Sequence, residues 1–251
     1  MCGGKSSSSP RPDRYYLTPP HFFIVTPPST LIIPTAYLGP VWLYAYLLAV
    51  PHCLEDRGEH YVKQTCRTRC HIATPQGVQA LTVPVDRSGG SHTAVRDLRL
   101  SSHGNWRHLH WQALTSAYER TPYFEYFADE FRTLYEQPFT FLADFNAALH
   151  EAVCRCLDLT LPRQVSPTYV QAEAHPHSLD LRQHFPPKAY TPGLLHADTP
   201  APFSLTFRAE PYYQVFASRT GFLPHLSIVD LLFNLGPESR LLLRRSLVPQ
   251  A

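Results

Sequence analysis

The sequence predicts an α/β protein: a small mixed sheet covered by helices, with an aromatic helical hairpin at its centre. Three observations carry that expectation. An apolar run from Leu31 to Val50 is broken by Pro34, Gly39 and Pro40, and two consecutive stripes at helical spacing lie between Trp106 and Tyr135. A capped helix opens at Ser227.

The apolar run is long enough to invite a membrane-spanning reading. Its prolines and glycine divide it instead into a strand at Leu31 to Ile33, a loop from Pro34 to Gly39 and a helix starting near Pro40, whose ring suits a first helical turn. His52 to Asp56 follows as a second strand. A strand, helix, strand order of this kind forms a parallel crossover with ligands at the carboxyl end of the strands, the end that Asp56 would face. No glycine-rich phosphate fingerprint accompanies it.

Residues 59–72 bring Glu59, Lys63, Arg67 and Arg69 together with Tyr61 and Gln64. They read either as a solvated segment with surface ion pairs or as an anion pocket in which Lys63 and Arg69 donate to a phosphate or carboxylate. Strands are expected at Gln79 to Val85, after the turn Pro75, Gln76, Gly77, and at Ala94 to Leu100.

In the hairpin, Trp106, Leu109, His110, Ala113, Leu114, Ala117 and Tyr118 form the first stripe. Thr121 and Pro122 read as N-cap and first helical residue of a second helix, with Tyr123, Phe124, Phe127, Phe131, Leu134 and Tyr135 on its inner face. His110, mid-stripe, is either a hydrogen-bonded core histidine or a general base oriented across the hairpin by Glu125 or Asp129. A third helix spans Leu142 to about Leu157, then a strand at Thr168 to Glu173, an extended loop over 180–190, and a strand at Tyr212 to Phe216. Ser227 with Asp230 starts a helix that Gly236 and Pro237 end, and a last helix carries Leu241 to Arg245.

The totals limit the function. The 251 residues suit one domain over 30–251 behind a flexible Ser/Pro-rich leader over 1–29. A net charge of +2 provides no general attraction for nucleic acid or anionic lipid. Cys2, Cys53, Cys66, Cys70, Cys154 and Cys156 lack paired zinc spacing and no export signal precedes them, so reduced thiols in a cytoplasm are expected, with no metal assigned. Cys66 or Cys70 as a covalent nucleophile is the weaker chemical route, because neither sits in a nucleophile motif.

Taken in order, AYLGPVWLYAYLL, Asp56 with HYVKQTCRTRC, LTVPV, VRDLRL, WRHLHWQALTSAYERTPYFEYFADEF and YYQVFASRTGFLPHLSIVDLLFNLGPE resemble the WbqC-like proteins over about residues 31–240. Members of that family occur in bacterial gene clusters for O-antigen and related lipopolysaccharide or surface polysaccharides, and transfer of glycine or another acyl group onto the sugar has been suggested for them. By position the resemblance marks Tyr37, Pro40, Asp56, Tyr61, Lys63, Arg69, His110, Trp111, Tyr118, Gln214, Asp230 and Asn234. Thr35, Ala36 and Thr68 depart from the Gln, Pro and Asn of many relatives, which implies a changed or weakened substrate contact if those side chains bind.

The resemblance implies a transferase acting on an activated sugar or its carrier, with a small-molecule or sugar-nucleotide substrate and no cofactor assigned. Tyr37, Asp56, Tyr61, Lys63, Arg69, Gln214, Asp230 and Asn234 would bind substrate, and His110 with Glu125 or Asp129 would move the proton. Backbone N–H groups from Tyr37 to Gly39 would serve as oxyanion donors. The rival expectation is a non-catalytic binding or assembly protein that engages a partner enzyme through the aromatic hairpin or the proline-rich 174–202 segment.

Overall fold

The computed structural model describes residues 28–86, 92–161, 163–184 and 205–249. The expected leader lies almost wholly outside them, as does most of the 180–190 loop. The chain runs β1 (Thr30–Pro34), α1 (Val41–Ala49), β2 (His52–Asp56), β3 (Arg69–Thr74), β4 (Gly77–Thr82), β5 (Val85–Asp86) and β6 (Arg99–Leu100). It continues through α2 (Trp106–Tyr118), α3 (Phe124–Glu136), α4 (Leu142–Cys156), β7 (Arg163–Ser166) and β8 (Ser178–Asp180). Last come β9 (Leu205–Phe207), α5 (Ala217–Thr220), α6 (Ile228–Leu235), α7 (Ser239–Arg245) and β10 (Leu247–Pro249).

The main sheet has the order β7-β2-β1-β8, and every pair in it is parallel. The antiparallel pairing falls in three separate two-stranded units, β3 with β4, β5 with β6 and β9 with β10. The apolar run therefore becomes a core strand and a core helix. Val41 to Leu47 are buried without a break, and a helix of 9 residues spans only about 14 Å, roughly half a bilayer core. No helix among the described residues is long and apolar enough to cross a membrane.

The hairpin forms where its stripes predict, although Leu109 of the first stripe is exposed, and two phenylalanines plug its seams. Phe233 of α6 meets the rings of Tyr118, Phe124 and Phe131 at 5.1–5.5 Å. Phe145 of α4 meets Tyr37, Trp106, Tyr135 and Phe139 at 5.4–6.0 Å. The offset and edge-on geometries suit aromatic quadrupoles.

Several local expectations give way. Thr121 does not cap α3: the helix begins at Phe124, and the Thr121 hydroxyl donates back to the Tyr118 carbonyl, closing the end of α2. Val95 to Asp97 is a 3-10 turn rather than strand, because Val95 and Leu98, three apart, are both fully buried. The strand expected at Thr168 to Glu173 lies earlier, at Arg163–Ser166. Tyr212 to Phe216 is not a strand. Ser227 does cap α6 through the Val229 N–H, but Asp230 does not reach back to it, since the Ser227 N–H is taken by the His71 carbonyl.

Candidate functional site

Four parallel strands end together, so their carboxyl ends gather Thr35, Asp56, the 57–68 loop and Arg182. β1 continues through α1 to β2 on one side, while β8 adds to its other side, and the strand order reverses across β1. In open parallel sheets the crevice beyond such a reversal is where ligands bind.

Asp56 is fully buried at this end. Its Oδ1 accepts from the N–H groups of Gly58 and Glu59 at 2.8 and 3.0 Å, and its Oδ2 accepts from the Val170 N–H at 3.1 Å and from Arg182. Arg182 in turn grips Asp180 through Nε and Nη2 and donates from Nη1 to the Val170 carbonyl. Gly58 packs so closely on the next segment that a Cβ there would lie 2.1 Å from the backbone of Thr168 and Tyr169. The requirement for glycine at 58 is therefore one of space.

Beside this pair, Arg67 makes a two-pronged contact with Glu59 at 2.7 and 2.6 Å, and both side chains are buried. The Glu59–Arg67 pair, one of the surface ion pairs on the solvated reading of 59–72, is thus interior. Burial pushes the Glu59 carboxyl up, and Arg67 pulls it back down. Asn146 of α4 donates to the Thr35 hydroxyl and the Arg67 carbonyl, and its buried Oδ1 has no partner among the described residues. These contacts shape the 57–68 loop from within. Lys63 stands exposed on it, Tyr61 reaches Thr68, and Arg69, half-buried at its end, donates from Nε to the Thr82 hydroxyl at 2.9 Å.

His110 lies behind Thr82. Its Nδ1 is 2.8 Å from the Tyr37 hydroxyl, which is 2.6 Å from the Tyr135 hydroxyl, and the Thr82 carbonyl takes the remaining hydrogen bond. Burial drives the imidazole down to about 4, so at neutral pH it is uncharged, accepts from Tyr37 and donates to Thr82. Both nitrogens are engaged. Glu125 and Asp129 do not orient it: both are exposed on the outer face of α3, and Asp129 pairs with Arg132. The α3 side chain that does face this network is Tyr135. Nor is the Tyr37 N–H an open oxyanion donor, because it is held by the Cys66 carbonyl.

Gln214, Asp230 and Asn234 form a separate cluster. Fully buried Asp230 accepts from Tyr118 at 2.9 Å, Tyr212 at 2.7 Å and Gln214 at 3.1 Å, and Asn234 donates to its backbone carbonyl. Burial pushes the carboxyl up to about 6 against the pull of those three donors. A carboxyl that holds its proton more tightly folded than unfolded adds stability below its ordinary 3.8, and that contribution is lost as pH rises through about 6. Asp230→Asn removes the effect. Urea unfolding of the variant should therefore show stability rising more steeply between pH 4 and 6 than in the wild type, whereas parallel pH curves would mean that the carboxyl is not raised.

A further cleft of about 580 Å³ lies at the amino-terminal end of β7, lined by His150, Cys154, Arg155 and Arg163 among others. Cys154 Sγ is 3.4 Å from His150 Nε2. Burial lifts the thiol to about 11 and lowers the imidazole to about 3, which leaves an uncharged pair. Cys66 and Cys70 are likewise pushed up by burial.

Arg182, Asn146, Tyr135 and Tyr212 are not among the site residues expected from the sequence. Each acquires its role through a contact with another segment: Arg182 with Asp56, Asn146 with Thr35, Tyr135 with Tyr37 and Tyr212 with Asp230.

The WbqC-like protein family model matches residues 53–241, a span that takes in the site residues named from the sequence apart from those of the loop after β1, Tyr37 to Pro40. Uncharacterized protein Rv1507c of Mycobacterium tuberculosis (strain ATCC 25618 / H37Rv) is 31% identical over 192 residues, covering 71% of this chain and 81% of the relative. No solved structure matches.

Proposed function

The chain belongs to the WbqC-like protein family, and from that premise we propose that it is a transferase of surface polysaccharide assembly. Its substrate would be an activated sugar or its carrier, and glycine or another acyl group the moiety attached. The observation that carries the reading is the 57–69 segment at the carboxyl end of a parallel sheet, with Lys63 exposed, Arg69 half-buried and a buried ionic scaffold beneath.

In this reading Lys63 and Arg69 hold the substrate's phosphate, Arg69 through its planar fork. Asp56, Arg182, Glu59 and Arg67 set the loop that presents them, and Asn146 Oδ1 is a spare acceptor beside it. His110, Tyr37 and Tyr135 hold the loop after β1 rather than touching substrate, because their hydrogen-bonding capacity is spent on one another and on Thr82. The Asp230 cluster joins α2 to α6 and the 212–223 segment.

Hydrogen exchange on the full chain tests this, with UDP-glucose and glucose 1-phosphate as probes. Slowed exchange over 57–69 and 178–184 is expected with at least one of them. A second reading, binding without chemistry, draws on Tyr126, 84% exposed on the outside of the hairpin. If neither probe slows exchange anywhere, that reading replaces the first.

A further inference from the structure

Tyr169 is 60% exposed, yet its ring and its backbone both lie against other parts of the fold. The Arg182 guanidinium lies against its ring at 4.7 Å from the centroid. That guanidinium is itself locked by Asp180, Asp56 and the Val170 carbonyl. On one flank the Thr168–Tyr169 backbone is packed against Gly58, and on the other the Val170 N–H is bound to Asp56. Tyr126, more exposed, meets the ring of Phe127 at 6.3 Å.

We infer that Tyr169 is a stacking platform for a nucleobase, so that the activated sugar is nucleotide-linked. The inference rests on the transferase reading and specifies its substrate. Three features converge. One face of the ring is spent on Arg182, and at 60% exposure the residue still offers surface to a planar ligand. A rigid aromatic loses little entropy when it stacks, which favours binding over a mobile ring. The ring also stands at the carboxyl end of the sheet, on the segment that packs against Gly58, and the loop begun at Gly58 carries Lys63 and leads to Arg69. A nucleoside diphosphate has a planar base for the first and phosphates for the others. Buried ion pairs are a poor means of stabilising a fold compared with apolar packing. The Asp56–Arg182–Asp180 cluster is accounted for if its product is a fixed, outward-facing ring.

The test is calorimetric titration of the full wild-type chain, Tyr169→Ala and Tyr169→Phe with uridine diphosphate, guanosine diphosphate, inorganic pyrophosphate and glucose 1-phosphate. Tyr169→Ala is expected to weaken at least one nucleoside diphosphate by about tenfold, while Tyr169→Phe retains it. Pyrophosphate should bind all three proteins alike. Equal affinity of wild type and Tyr169→Ala for the nucleoside diphosphates overturns the platform, as does a wild type that binds neither of them. In the latter case, binding of glucose 1-phosphate would overturn only the platform and leave the transferase reading standing, whereas silence towards all four probes would remove both.

Discussion

Arg182→Leu is expected to lower the unfolding free energy by about 3–5 kcal/mol, the range for removing one partner of a buried ion pair. The magnitude follows from what is left behind. Asp56 is fully buried and would keep three backbone N–H donors but lose the cation paired with it. The Val170 carbonyl would lose its Nη1 donor, and Asp180 its two-pronged partner. By contrast, the exposed Arg155–Glu130 pair should be worth under about 1 kcal/mol. Urea unfolding of Arg182→Leu and Arg155→Leu makes the comparison. A loss below 1 kcal/mol at Arg182 would show that Asp56 is more open to water than its burial indicates, and the rigid base beneath the 57–68 loop would go with it.

Much of the frame was legible because it depends on local rules. Pro34, Gly39 and Pro40 punctuate an apolar run into strand, loop and helix, and the parallel pairing of β1 with β2 follows from the helix between them. The hairpin stripes and the α4 stripe have the helical period, so their buried faces follow from spacing alone. Two of the misplaced strands share a cause, which is competition from side chains. At 168–173 the Val170 N–H goes to the Asp56 carboxylate instead of a neighbouring strand. At 212–216 the Gln214 amide pairs with both backbone groups of Leu223, doing the work that a strand partner would do.

The site was less legible for the same reason. Asp56 and Arg182 are 126 residues apart in sequence, and no local pattern announces that they meet. Glu59 and Arg67 were visible as opposite charges, yet spacing does not say whether a pair faces water or the interior. Glu125 and Asp129 were placed near His110 because both helices belong to one hairpin. They follow Phe124 and precede Phe131 on the helix, however, and those two rings take the inner face.

If Lys63 and Arg69 hold the substrate's phosphate at the carboxyl end of the sheet, calorimetric titration of Lys63→Ala/Arg69→Ala with UDP-glucose over a range of salt will show it. A charged hydrogen bond contributes about 1.5–3 kcal/mol, so losing two should weaken binding by about a hundredfold or more and flatten its salt dependence. Both side chains are at least partly solvent-facing, and the melting temperature should stay within a few degrees. Unchanged affinity with an unchanged salt slope would contradict the claim and move the substrate away from this end of the sheet.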